Sequence, residues 1–252
     1  MTTRVFRATV GKYMEVQLTV IGSSPAWPNP GSAQSGYLLE HDGQRLLLDC
    51  GPGVLGRLRA AGAPAVDAIA ITHFHLDHWG DLVPWAWLVA FGADSGPRTE
   101  VWLPPAGRAE LARFADRWGN TDMFENAFTL QEFEPSTTFV AAGFEIEPRR
   151  VLHFDLVAFG FRVREPADGR LLAYSGDSGP APELTDLARE ADLFLCEATL
   201  ERSDKEGDPR GHLAPDEALA AADGPVLLTH RPVELPPPDG VPIAYDGLVV
   251  EI

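Results

Sequence analysis

The chain has 252 residues, 37 of them acidic and 20 basic, for a formal net charge of −17. A free-standing binder of long nucleic acid shows the opposite balance, because neutralising phosphates needs clustered Lys and Arg, and here only Lys12 and Lys205 are lysines. At 45% hydrophobic residues the chain is too apolar for disorder, while its longest apolar run, residues 82–93, is too short for the ~20 residues of a membrane span.

Residues 15–21 read as a strand and 22–36 as a loop rich in Ser, Pro and Gly. Residues 37–40 and 45–49 are two strands joined at Asp42-Gly43, a strong hairpin signal. Residues 54–61 form a helix stopped by Gly62 and Pro64, and 67–72 a buried strand. A helix over 82–91, a strand over 100–103 and a helix over 106–118 follow. The stretch around Phe124 and Phe128 has no assignable pattern. Residues 129–133, 138–140 and 144–151 read as strands, and 156–164 with 170–174 as a hairpin about Asp168-Gly169. A helix over 182–189, a buried strand over 193–196, a helix over 215–222 and strands over 226–229 and 247–251 complete the chain. Only the Pro236–Pro238 run has linker composition, so residues 1–252 are read as one domain. Two strand-rich halves with interleaved helices predict two sheets covered by helices, an α/β layered fold.

Cys50 and Cys196 make neither a framework nor a CxxC pair and read as buried thiols. No apolar stretch with a cleavage site follows Arg4, Arg7 and Lys12, so no signal peptide is read. A reduced, cytoplasmic protein is expected.

Only seven histidines occur in the chain, and three of them crowd into one place. His73, His75, Asp77 and His78 fall within six residues, directly after the predicted strand 67–72. A lone histidine there would read as a surface residue; this density does not. His153 follows strand 144–151, Asp177 follows strand 170–174 and His230 ends strand 226–229. Four strand ends thus deliver imidazole and carboxylate, a donor set that suits zinc and related first-row metals.

In this order, Leu48-Asp49-Cys50-Gly51-Pro52-Gly53, the His73-x-His75-x-Asp77-His78 block, His153, Ser175-Gly176-Asp177-Ser178 and Thr229-His230 resemble the metallo-β-lactamase fold superfamily of metallohydrolases. The resemblance implies an αββα four-layer sandwich with a site for two divalent metal ions at one edge. Zinc is the metal expected, with manganese or iron as alternatives. His73, His75 and His153 would bind the first ion, Asp77, His78 and His230 the second, and Asp177 both. Asp49 would orient a ligand histidine or the bridging water. Flavodiiron relatives carry a carboxylate where this chain has His75, which favours hydrolysis with zinc.

Cys196-Glu197-Ala198-Thr199, Gly211-His212-Leu213-Ala214 and Thr229-His230 resemble the ribonuclease Z branch, which includes cyclic-nucleotide and other phosphodiesterases. That likeness implies His212 as a general acid beside the metals, with Asp77 orienting the nucleophile. Two departures matter. Only 23 residues separate His153 from Asp177, and the predicted hairpin fills them, leaving no room for a tRNA-gripping arm. The N-terminal loop also lacks the Pro-Thr and Arg-Asn pattern and looks more like compact actinobacterial-type relatives. Residues 183–223 hold 12 acids against four bases, a poor track for RNA. The expected substrate is therefore a small anionic phosphodiester such as a cyclic nucleotide. Arg231 is a candidate phosphate contact, Trp79 a candidate platform for a substrate ring, and Trp85 and Trp87 are expected in the core. Three alternatives stay open: a hydrolase of lactones, thioesters or β-lactams, ribonuclease Z-like RNA processing, and a non-catalytic metal-bound carrier. A homodimer also stays open, since dimers are common among similar proteins.

Overall fold

The structure is a computed structural model that describes residues 16–62, 65–92 and 98–252. Arg4, Arg7, Lys12, the strand start at Glu15, the helix stop at Pro64 and the end of the apolar run at Ala93 lie outside the described residues.

Strands β1 (Gln17–Gly22), β2 (Gly36–His41), β3 (Gln44–Leu48), β4 (Ala68–Ala70), β5 (Glu100–Leu103) and β6 (Thr129–Glu132) lie side by side in one sheet. A second sheet holds β7 (Phe139–Ala141), β8 (Phe144–Val151), β9 (Ala158–Arg164), β10 (Leu171–Tyr174), β11 (Leu193–Glu197) and β12 (Val226–Thr229). The final strand, β13 (Val249–Glu251), returns to the first sheet and pairs antiparallel with β1. The Pro236–Pro238 run is therefore no linker: the chain beyond it rejoins the sheet, and the Pro236 carbonyl accepts a hydrogen bond from Arg231.

The period-2 pattern of the strands decides the layers. Tyr37, Leu39, Leu46 and Leu48 point between the sheets, where they meet Phe159, Phe161, Tyr174 and Leu195 of the second sheet. Leu38, Leu47, Ile69 and Val101 point the other way, onto helices α1 (Val54–Ala60), α3 (Leu82–Phe91), α4 (Gly107–Asp116) and α5 (Met123–Ala127). Between α1 and α3 a single turn, α2 (Leu76–Trp79), caps the end of β4. On the far side α6 (Pro182–Ala188) and α7 (Pro215–Ala220) cover the second sheet. The result is an αββα sandwich. At Asp42-Gly43 both residues have positive φ, 48° and 77°, the backbone a two-residue hairpin requires.

Helix α3 corrects one expectation. Its sequence, LVPWAWLVAF, is apolar on every side, so periodicity could not choose the buried face. Leu82 and Ala86 are buried and Trp85 packs partly against them. Trp87, one residue on, is 48% exposed, and Phe91 on the same face is 85% exposed. Trp87 instead lines an open cavity of about 420 Å³ shared with the α4–α5 connection. No helix of the described residues is long and apolar enough to cross a membrane.

β3, β4, β5 and β6 run parallel, as do β10, β11 and β12. In such sheets the carboxyl ends of the strands form the site-bearing edge. The register sets those ends level, with Leu48 opposite Ala70 and Glu197 opposite Thr229.

Candidate metal centre

Each expected ligand leaves the end of a strand. Asp49 follows β3; Thr72 and His73 follow β4; His153, Asp177 and His230 follow β8, β10 and β12. His75 is the residue before α2, and Asp77 and His78 lie on that turn. The first sheet thus supplies one wall and the second sheet the other.

Two groups of four side chains result, with Glu197, His212 and His230 as a third, smaller one. His73, His75, His153 and Asp177 have ligand atoms within 4.8 Å of one another, as do Asp77, His78, Asp177 and His230. Asp177 belongs to both. Its Oδ2 lies 3.8 Å from His73 Nε2 and 3.9 Å from His153 Nε2, and its Oδ1 lies 3.2 Å from His78 Nε2 and 3.6 Å from His230 Nε2. Asp77 Oδ2 is 3.4 Å from His78 Nε2 and 3.1 Å from His230 Nε2. Donors on a tetrahedral ion with bonds of ~2.0–2.1 Å sit roughly 3.3 Å apart, so these spacings suit an ion in each group.

The buried atoms test that fit independently. His73 Nε2, His78 Nε2 and Asp177 Oδ1 are buried with no hydrogen-bond partner. Polar atoms left so in a protein interior are costly and call for an explanation. All three point into the two groups, and a cation in each would satisfy them. Electrostatics agrees. Burial pushes His78 down, but Asp177, Asp49 and Asp77 outweigh it and raise the group well above its ordinary value. Three carboxylates therefore draw positive charge to this point. His73, desolvated and beside His78, is held far below its ordinary value.

Hydrogen bonds fix which ring nitrogen faces the centre. Asp49 accepts from His78 Nδ1 at 2.7 Å, Tyr174 Oη at 2.7 Å, the Thr72 backbone N at 2.8 Å and Thr72 Oγ1 at 2.9 Å. With its hydroxyl hydrogen spent on Asp49, Thr72 Oγ1 accepts from His73 Nδ1 at 3.0 Å. A second relay repeats the plan. Glu197, fully buried, accepts from His212 Nδ1 at 2.9 Å and from Thr199 Oγ1 at 2.8 Å, and Thr199 Oγ1 accepts from His230 Nδ1 at 2.9 Å. His153 Nδ1 donates to the Gly211 carbonyl at 2.7 Å. The His212 ring lies 5.1 Å from that of His153 and stacks 5.9 Å from that of His230. Burial lowers the His212 pKa, but the Glu197 carboxylate overcomes that and raises it to about 9.

Asp49, His73, His75, Asp77, His78, His153, Asp177, His212 and His230 therefore converge, while two expected substrate contacts do not. Trp79 is buried against Phe114 and Phe124, ring centroids 5.1 and 6.4 Å away, and its indole N–H donates to the Phe74 carbonyl. Each helical residue turns about 100° from the last, so with Asp77 and His78 on the centre Trp79 faces the outer helix layer. Arg231 is also buried, its guanidinium donating to the carbonyls of Ala198, Leu200 and Pro236. It ties loops together and offers no free fork to a phosphate. Thr72, Tyr174 and the joint role of Glu197 with Thr199 went unassigned from sequence. The available signal was a hydroxyl or carboxylate at the strand end beside each ligand.

Groups of His and Asp that could hold metal ions, set at the strand ends of an αββα sandwich, fit a metallo-β-lactamase fold, and the chain belongs to the β-lactamase superfamily: the model of the Beta-lactamase superfamily domain matches residues 44–225. Among its relatives, the uncharacterised protein Rv1339 of Mycobacterium tuberculosis is 35% identical over 243 residues, covering 88% of this chain and 83% of that one. The probable metallo-hydrolase YhfI of Bacillus subtilis is 28% identical over 223 residues, 86% of this chain and 87% of that one. Its crystal structure superposes with a TM-score of 0.80 over 94% of this chain and all of that one, at 25% identity. Ribonuclease Z of Mycobacterium marinum is 29% identical over 196 residues, 71% of this chain and 69% of that one. The chain is thus a β-lactamase-superfamily member similar to a probable metallo-hydrolase and to ribonuclease Z, and its superfamily implies divalent metals.

Proposed function

We propose that this chain is a phosphodiesterase with two divalent metal ions, acting on a small phosphodiester such as a cyclic nucleotide. His73, His75, His153 and Asp177 would hold one ion, and Asp77, His78, His230 and Asp177 the other, with zinc expected ahead of manganese or iron. When bound, two such ions supply Lewis-acid activation of water and neutralise charge on phosphoryl oxygens. The chain's own residues do the rest. Asp49 and Glu197, through their threonines, hold the ligand imidazoles in place. Asp77 accepts a hydrogen bond from the attacking water, and His212 gives a proton to the leaving alkoxide.

The placement of His212 carries this reading. It belongs to neither four-residue group and stands beside both; in the three-residue group with Glu197 and His230, its Nδ1 is already spent on the buried Glu197 carboxylate. A lactone or thioester hydrolase needs no such donor for its leaving group. The same region speaks against an RNA track: β9 and β10 fill the chain between His153 and Asp177, and residues 183–223 are strongly acidic.

Purified protein assayed with bis-p-nitrophenyl phosphate and cyclic AMP tests the reading. Turnover that EDTA abolishes and zinc restores is expected. His212→Ala should lower cyclic AMP hydrolysis by about 10²–10⁴-fold, because an alkoxide leaves poorly without an acid. The loss on bis-p-nitrophenyl phosphate should be much smaller, since p-nitrophenolate leaves unaided. Absence of metal-dependent turnover on every phosphodiester would overturn the proposal.

A further inference from the structure

Phe154, the residue after His153, has a left-handed backbone with φ of 48°. Glycine takes this conformation freely, whereas a bulky L-residue is strained in it and stays only where its surroundings impose it. The surroundings are visible. Gly179 N donates to the Leu152 carbonyl, Leu156 N to that of His153, and Arg150 to that of Leu156, which pins residues 152–157 over the loop that carries Asp177. The Phe154 ring stands edge-on to His212, with centroids 5.6 Å apart, and 4.9 Å from the ring of His153. It also sits on Gly211 so closely that a Cβ there would meet ring carbons at 2.3–2.5 Å. A side chain at position 211 is thus excluded by the ring at 154.

Phe154 is only partly buried. Its loop exposes Leu152, Leu156 and Val157 together with Asp155, and Leu76, next to His75, is exposed as well. The His75 ring lies 4.7 Å from that of His153, so these apolar side chains flank the same group of ligands. Of the arginines that neighbour site residues in sequence, Arg210 pairs with Glu217, Arg231 is buried on backbone carbonyls, and Arg150 donates to the Leu156 carbonyl. The Phe154 ring thus gives an apolar face on the side where His212 stands, with the Glu206 carboxylate held by the Gly211 and His212 backbone N–H groups.

We propose that Phe154 is the wall of a leaving-group pocket, and that the substrate presents an aromatic or apolar ring to it, next to the reacting phosphorus. The inference rests on the phosphodiester reading above and narrows it. A nucleoside supplies such a ring.

Calorimetric titration of the zinc-loaded protein with phenylphosphonate and methylphosphonate tests it without turnover. The wild type should bind phenylphosphonate roughly ten-fold more tightly, the order expected of one aromatic contact. Phe154→Gly, which relieves the backbone, should bring the two to within about two-fold. Gly211→Ala, whose methyl drives the ring aside, should lose the preference too and serves if the first variant does not fold. Equal binding by the wild type, or a preference that survives both substitutions, overturns the wall alone. Binding of neither phosphonate overturns the phosphate-ester reading and the wall with it.

Discussion

At the scale of single residues, the centre depends on hydroxyls that touch no metal. Thr199 spends its hydrogen on Glu197 and takes one from His230, so one carboxylate steers both the proposed ligand His230 and the proposed acid His212. Valine has nearly the shape of threonine but neither the donor nor the acceptor. Thr199→Val should therefore weaken one of two metal sites by about 10–100-fold, the usual cost of losing a ligand's hydrogen-bond partner. The site built on His73, His75 and His153 should keep its affinity, because its rings lean on Thr72 and the Gly211 carbonyl. Competition with a chromogenic chelator resolves the two sites, and Thr199→Ser should restore the weaker one. Equal affinities in the wild type and Thr199→Val would show that the relay does not matter. The seven residues that converge in the two groups were legible in the sequence, because imidazole and carboxylate crowded after strands are rare and specific. The threonines were not, because a hydroxyl acquires its meaning only from the groups it meets in space, and Glu197 and His212 meet Thr199 and His230 from distant parts of the chain.

At the scale of elements, the same limit shows in the helices. Trp79 and Trp87 sit eight residues apart in equally apolar sequence, yet one is 6% exposed and the other 48%. Replacing Trp79 with Ala should cost about 3–5 kcal/mol, since it vacates space between Phe114 and Phe124. Replacing Trp87 with Ala should cost within ~0.5 kcal/mol, as surface changes do. Urea unfolding of the two variants measures the difference, and equal losses would contradict the unequal burial of the two indoles. The strands were readable because β-branched and apolar runs between turn residues recur throughout, and the span expected for α3 is the one it has. The turn α2 and the five-residue α5 were missed for a physical reason: four or five residues do not complete enough of a 3.6-residue period to be seen. The orientation of Trp79 followed from that omission, since only a helical turn after His75 sends Asp77 and His78 to the centre and the indole away from it.

At the scale of the whole molecule, charge and site pull in opposite directions. The chain carries −17, and two divalent ions would reduce that only to −13. An anionic substrate therefore approaches a molecule that repels it at long range and meets positive charge only at the strand ends. Salt screens the long-range part, over about 8–10 Å at physiological strength, more than it weakens interactions inside a buried centre. Raising ionic strength from low to physiological values should thus increase kcat/KM for cyclic AMP, by on the order of two-fold. A protein that grips a nucleic acid along a basic track behaves the other way, because salt cations compete with it for every phosphate and affinity falls steeply. Initial rates at fixed pH and free zinc, over a series of sodium chloride concentrations, read the sign directly. A falling kcat/KM would place an attractive surface outside the metal centre and reopen the RNA-processing reading. A rising one fits a small substrate recognised within a few ångströms of the metals, with His212 and the apolar wall beside it as the features that choose among anions.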